Sequence, residues 1–146
     1  MINVRDILKE KGDQVFSVTP DTSVYESLEK MSSRNIGSIL VIEDEKLLGI
    51  FTERDYLKKV VLFGRSSKTT TVKEIMTTDL VCVSPADSVN STMAIMTKMR
   101  CRHLPVIDEG KLVGLVSMGD VVKKKISDMD ATIKYLNDYI SSSNYN

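Results

Sequence analysis

The chain has no tryptophan, one histidine, two cysteines and three prolines in 146 residues. Each scarcity removes a class of explanation. Cys82 and Cys101 lie 19 positions apart, a spacing that matches no zinc pattern, and two thiols make no disulfide framework. They read as buried or half-buried thiols of a reducing compartment. With a single histidine there is little material for a metal site or a nucleophile–base pair. No acid pair sits in a pocket motif and no glycine-rich phosphate loop is present, so an enzyme is the weaker expectation. An excess of one charge is missing too: Lys plus Arg and Asp plus Glu each number 20, for a formal net charge of zero. Domains that coat nucleic acid are usually strongly basic. No apolar run reaches the ~18 residues of a membrane span, and the charged start, MINVRDILKEKGD, lacks the apolar core of a signal peptide. The expectation is a soluble cytoplasmic protein that needs no cofactor.

What is abundant is self-similarity. Residues 19–57, TPDTSVYESLEKMSSRNIGSILVIEDEKLLGIFTERDYL, align without a gap to residues 84–122, SPADSVNSTMAIMTKMRCRHLPVIDEGKLVGLVSMGDVV. The identical columns include Pro20/Pro85, Val24/Val89, Met31/Met96, Gly49/Gly114 and Asp55/Asp120. Upstream, VRDIL at Val4 answers VKEIM at Val72. The chain is thus divided into a first repeat over 1–62, a linker over 63–71, a second repeat over 72–123 and a helical tail over 124–146.

Each copy predicts the same elements. A short apolar strand, 15–18 or 80–83, ends at a proline. A helix follows, with Ser23 and Glu26 forming a capping box in the first copy and Val24, Leu28 and Met31 on one face. Two apolar runs around EDEK or DEGK make a hairpin, and a last helix opens at Thr52 or Ser117. The predicted class is α/β (α+β-like): two strand-helix-strand-strand-helix units packed through their sheets, with a C-terminal helix added. One such unit is too small to bury much core alone, roughly 60% of its surface at best, which is the physical reason to expect a pair.

GIFTERD (Gly49 to Asp55), GLVSMGD (Gly114 to Asp120) and RHLPVID (Arg102 to Asp108) resemble the CBS domain family, in the tandem arrangement called a Bateman module. The likeness covers residues 4–123 and is closest to small stand-alone members. It implies a regulatory module without catalysis. Such a module binds AMP, ADP, ATP, NAD(H) or S-adenosylmethionine in clefts between the repeats and modulates a partner protein. The family match favours nucleotide contact at Thr52 and Asp55 and at Ser117 and Asp120. A helix start offers free N–H groups to phosphate, the hydroxyl adds a donor, and the aspartate could take both ribose hydroxyls. The same Ser/Thr-x-x-Asp spacing is also a plain capping box. The resemblance puts the adenine slot at Val15, Phe16, Ile36, Gly37 and Ser38 in one copy. In the other it falls at Leu80, Val81, Cys101 and Pro105, with Arg102 and His103 toward the phosphates. Ordinary core is the competing reading for the slot, and a structural histidine the competing reading for His103. Arg54 could reach a second phosphate. Arg65 and Lys68, in the linker GRSSKTTT, are either phosphate contacts or solvated charges.

Val122, Ile126, Met129, Ile133, Leu136 and Ile140 recur at spacings of 4, 3, 4, 3 and 4. This seam is too short for an isolated coiled coil, so it packs on its own domain or on a second chain. A homodimer is expected, and the last residues, SSSNYN, are expected to fray. A dimerising adaptor with empty clefts is the alternative function.

Overall fold

The computed structural model describes residues 1–143. The local signals of both copies become elements. Ser23 accepts the Glu26 N–H at 3.0 Å and opens α2 (Val24–Arg34). The reciprocal half of the expected capping box is missing there, and Ser23 instead bridges Thr71 in an isolated β pair. In the second copy Ser88 accepts the Ser91 N–H at 3.0 Å and opens α5 (Val89–Met99). Both helices end on a left-handed residue, Asn35 and Arg100. The hairpins are β2 (Ser38–Glu43) with β3 (Lys46–Thr52), and β4 (His103–Asp108) with β5 (Lys111–Ser117). Their two-residue turns, Asp44-Glu45 and Glu109-Gly110, have positive φ at both positions, as a twist-matched hairpin turn requires. Each hairpin shifts register at the same offset, Val41/Ile42 and Val106/Ile107.

The leading strands are shorter than the apolar runs suggest. The run at 15–18 yields only β1 (Ser17–Val18), parallel to β2. The run at 80–83 forms no strand: Val83 alone bridges Val106, donating to the Pro105 carbonyl at 3.0 Å and accepting from Ile107 N–H at 2.8 Å. Proline explains the difference. Leu40 donates its N–H to the Phe16 carbonyl at 3.3 Å, whereas Pro105, at Leu40's place in the repeat, has no N–H to extend the ladder upstream.

The chain folds as two compact units that cross the repeat. One is Gln14–Val81; the other joins Met1–Asp13 to the chain from Cys82 onward. So α4 (Val72–Ile75) belongs with the first hairpin and α1 (Val4–Lys11) with the second. Backbone bonds stitch each leader to a helix start: Val24 N–H to Thr70 O at 2.9 Å, and Val89 N–H to Ile2 O at 3.1 Å. These arrivals crowd both hairpin glycines, Gly49 against backbone and Gly114 against a side-chain end. A Cβ at Gly49 would lie 2.8 Å from the Thr77 carbonyl and from the Met76 sulfur; one at Gly114 would lie 2.7 Å from a Leu8 methyl.

Within Gln14–Val81, Val24, Met31, Ile39, Val41, Phe51 and Val72 are buried in one cluster. In the other unit Val4, Val89, Met96, Leu104, Val106 and Val116 are buried. After β3, the short α3 (Glu53–Asp55) runs into a π-helix, Tyr56–Val61, where Leu62 N–H reaches back to Leu57 O at 3.1 Å. After β5, α6 (Met118–Ser143) is one unbroken α-helix through the expected tail. Residues 141–143 are therefore helical rather than frayed; residues 144–146, the rest of that expectation, lie outside the described residues. Among the described residues, no helix is long and apolar enough to cross a membrane.

Candidate functional site

In Gln14–Val81 the sequence-predicted residues gather at one end of the first hairpin. β3 ends on Thr52, which lies opposite Ser38, the first residue of β2. Thr52 Oγ1 accepts the Asp55 N–H at 3.1 Å, and Asp55 Oδ2 accepts the Thr52 N–H at 3.0 Å. The capping box is therefore formed in full. Asp55 Oδ1 is also engaged: Thr77 Oγ1 donates to it at 3.0 Å and Lys59 Nζ stands 3.1 Å away. The Asp55 side chain is only 9% exposed, and both oxygens have partners, as burial of a carboxylate demands. The helix start is partly spent as well, since Glu53 N–H donates to the Gly37 carbonyl at 3.2 Å. The Glu53 carboxylate lies beside Gly37, while Arg54 is exposed.

The adenine-slot candidates divide. Phe16 and Ile36 pack against the apolar cluster, and Arg34 covers the Phe16 ring at 4.6 Å from its centroid. Val15 and Gly37 are half-buried and Ser38 is buried. Leu80 and Val81 are half-buried and belong to this same unit. The linker cations each have a partner of their own. Lys68 stands over the Tyr25 ring at 5.1 Å. Arg65 is near enough to Glu74 to help lower its carboxyl, after the larger effects of the Thr71 N–H and hydroxyl.

The other unit repeats the plan with different company. His103 opens β4 opposite Ser117, the last residue of β5. Ser117 Oγ accepts the Asp120 N–H at 3.1 Å, and Asp120 Oδ2 accepts the Ser117 N–H at 2.9 Å. The cation is Lys11 of α1, whose Nζ is 2.6 Å from Asp120 Oδ2 and also donates to the Leu115 carbonyl at 2.9 Å. The Asp120 side chain is 25% exposed. Burial works to raise its carboxyl, but the Lys11 hydrogen bond, the Ser117 N–H and the Lys11 charge outweigh it and hold the group below its ordinary range. Arg102 is exposed, and its carbonyl accepts the Met118 N–H at 2.7 Å. Cys101 and His103 are half-buried and Pro105 is buried.

Cys101 is half-buried but Cys82 is exposed, against the expectation of two buried or half-buried thiols; what burial each has pushes its thiol up, away from the thiolate of an activated nucleophile. Among the described residues, no cluster of three His, Cys, Asp or Glu side chains could hold a metal ion. A shallow hollow of about 330 Å³ lies between α1 and the loops at Pro85 and Asp108, and none of the predicted nucleotide residues lines it.

Lys59, Thr77 and Lys11, which hold the two aspartates, were not singled out from sequence. Lys59 had a signal, standing four residues after Asp55 where helical ion pairs meet. Thr77 and Lys11 had none, because each arrives from the opposite copy of the repeat.

The comparisons agree with this plan. The CBS domain family pattern matches residues 4–62 and 72–127. The mitochondrial CBS domain-containing protein CBSX3 of Arabidopsis thaliana is 39% identical over 94% of this chain and 71% of its own length. The CBS domain-containing protein YhcV of Bacillus subtilis is 33% identical over 90% of this chain and 91% of its own. Among solved structures, a protein with CBS domains from Burkholderia ambifaria superposes with a TM-score of 0.83. It is 47% identical, covering 86% of this chain and 95% of that one. Two copies of one strand–helix–hairpin–helix plan, each closed by the same hydroxyl–aspartate pair and each matched separately by the same family, make this chain a member of the CBS domain family, carrying two CBS repeats in tandem.

Proposed function

We propose that the chain is a sensor that binds an adenosine nucleotide, AMP, ADP, ATP or NAD(H), and passes its bound state to a partner protein. One observation carries the reading. The same hydroxyl–aspartate pair stands at the same hairpin end in both units, directly opposite the first residue of the preceding strand. A pure cap needs no such neighbour, whereas a ribose and its phosphate need acceptors, donors and an adjoining slot together.

The cap and the ligand compete for the same atoms. Asp120 has one oxygen bound to Ser117 and Lys11 and a quarter of its side chain open, so a ribose hydroxyl can approach it directly. At Asp55 a ribose must displace Thr77 or Lys59. Arg102 and His103 then favour phosphate at the second hairpin, while Glu53 opposes it at the first. Arg is suited to that task by its fixed charge and forked donors.

A thermal-shift panel of AMP, ADP, ATP, NAD, NADH and S-adenosylmethionine tests the reading. A ligand present at 100 times its Kd stabilises the native state by about 2.7 kcal/mol, a shift of several degrees. Product analysis after the same incubations separates binding from turnover. No shift with any ligand would favour the adaptor reading, which the fully partnered Asp55 supports independently.

Association is part of the proposal. Leu57, Val61, Leu62 and Phe63 are exposed on one unit, and Val122 and Ile126, at the repeat positions of Leu57 and Val61, are exposed on the other. Such apolar patches mark interaction surfaces, and a homodimer that covers them is the reading we adopt. Light scattering at tens of micromolar would overturn it by reporting a monomer.

A further inference from the structure

We infer that the outer seam of α6 is one strand of a parallel two-stranded coiled coil, whose other strand is α6 of a second copy of this chain. This goes beyond nucleotide sensing and does not depend on it. Residues 129–142 of α6 are exposed on every face. A helix of that length without tertiary packing is marginal in water, yet it carries a stripe of Met129, Ile133, Leu136 and Ile140, each half or more exposed. The first turns of α6 are held to their own unit by the opposite side: Val121 is fully buried and Lys124 bonds Glu10. The seam is thereby turned outward.

The side chains in the seam specify the partner. In heptad terms Ile126, Ile133 and Ile140 fall at the a positions, and Val122, Met129 and Leu136 at d. In parallel pairing, Ile at every a position, with Leu among the d residues and a β-branched Val at only one of the three, favours two strands. The flanks agree. Lys125 falls at g and Asp130 at the e position five residues on, the pair that meets across a parallel dimer. Two-fold symmetry makes that attraction twice. Antiparallel pairing that aligns the a and d layers would set Asp130 beside its own copy, a like-charge contact.

Disulfide trapping in the full chain decides the matter. In a Cys82→Ser, Cys101→Ser background, Leu136→Cys and Ile126→Cys are oxidised separately and as an equimolar mixture, with far-UV circular dichroism confirming the fold. Parallel pairing gives near-complete 136–136 and 126–126 disulfides, because layer mates sit within disulfide reach. In the mixture it gives little or no 126–136 product. A dominant 126–136 disulfide would show antiparallel strands and overturn the proposal. Free thiols in every sample would show that the seam packs on something other than a second copy, and would overturn it equally.

Discussion

Asp55 and Asp120 occupy the same column of the repeat, yet they sit in different chemistry. Asp55 is sealed by Thr77 and Lys59, and the helix behind it is wound as a π-helix; Asp120 is a quarter open, is bound by Lys11, and is followed by a regular α-helix. The difference comes from the partners delivered to each hairpin. Thr77 and Lys11 follow α4 and close α1, the two leader helices, whose sequences match through VRDIL and VKEIM and diverge beyond them. Duplicated sites therefore diverge through what packs on them as much as through their own motif.

The strongest way to break the comparison is at the glycines. Gly49→Ala drives a methyl into a backbone carbonyl, which cannot step aside, and should cost about 3 kcal/mol or more. Gly114→Ala meets only the end of the Leu8 side chain, which can rotate, and should cost about 1 kcal/mol, the low end of overpacking. Urea denaturation of both variants reads the difference. Equal losses would mean that the two leaders dock with the same rigidity.

The aspartates come next. Asp120→Ala should weaken adenosine-nucleotide binding by about 10-fold or more, roughly 1.4 kcal/mol, and Asp55→Ala by less, because its oxygens are already committed. The double variant should leave folded protein. Calorimetric titration measures all three; a larger loss at Asp55 would reverse the assignment of the open site.

A smaller contrast lies in acid. The Asp120 carboxyl is held low in the folded state. Its contribution to stability is therefore complete above the unfolded carboxylate value of ~3.9 and is lost as pH falls through the folded value. Melting temperatures followed downward from pH 5 should drop more steeply in the natural chain than in Asp120→Asn or Lys11→Met. Parallel curves would show that the ion pair adds nothing.

The least effect is expected at the linker. Lys68 stacks over Tyr25 at an exposed position, so Lys68→Ala should lower stability by about 0.5 kcal/mol and leave nucleotide affinity unchanged. A drop in affinity would place Lys68 at a phosphate.

How much of this was legible follows from how local each signal is. The hairpins were readable because EDEK and DEGK are short polar turns between apolar runs, and both helix starts were readable because Thr52 and Asp55, or Ser117 and Asp120, cap within a single turn. Gly49 was visible as an identical column of the repeat, but not what packs on it: Met76 and Thr77 lie more than twenty residues on. The strand expected at 80–83 failed through Pro105, whose missing N–H acts on a neighbour far away in sequence. The π-helix at Tyr56–Val61 has no counterpart in α6, and no sequence feature explains it. At the candidate site, the capping pairs were legible and the groups that arrive to hold their aspartates, Lys11 and Thr77, were not.

The crossing of the leader helices also sets an order of events during synthesis. Everything in Gln14–Val81 is present once the chain has emerged as far as Val81, so that unit can close early. The first thirteen residues have already left the ribosome by then, but the strands and helices that α1 belongs with have yet to be made. For the time it takes to translate the second repeat, at ~5–20 residues per second, Val4 and Ile7 are apolar side chains without a home. A nascent-chain release assay should find α1 protease-sensitive until β5 has been completed, long after Phe51 is protected.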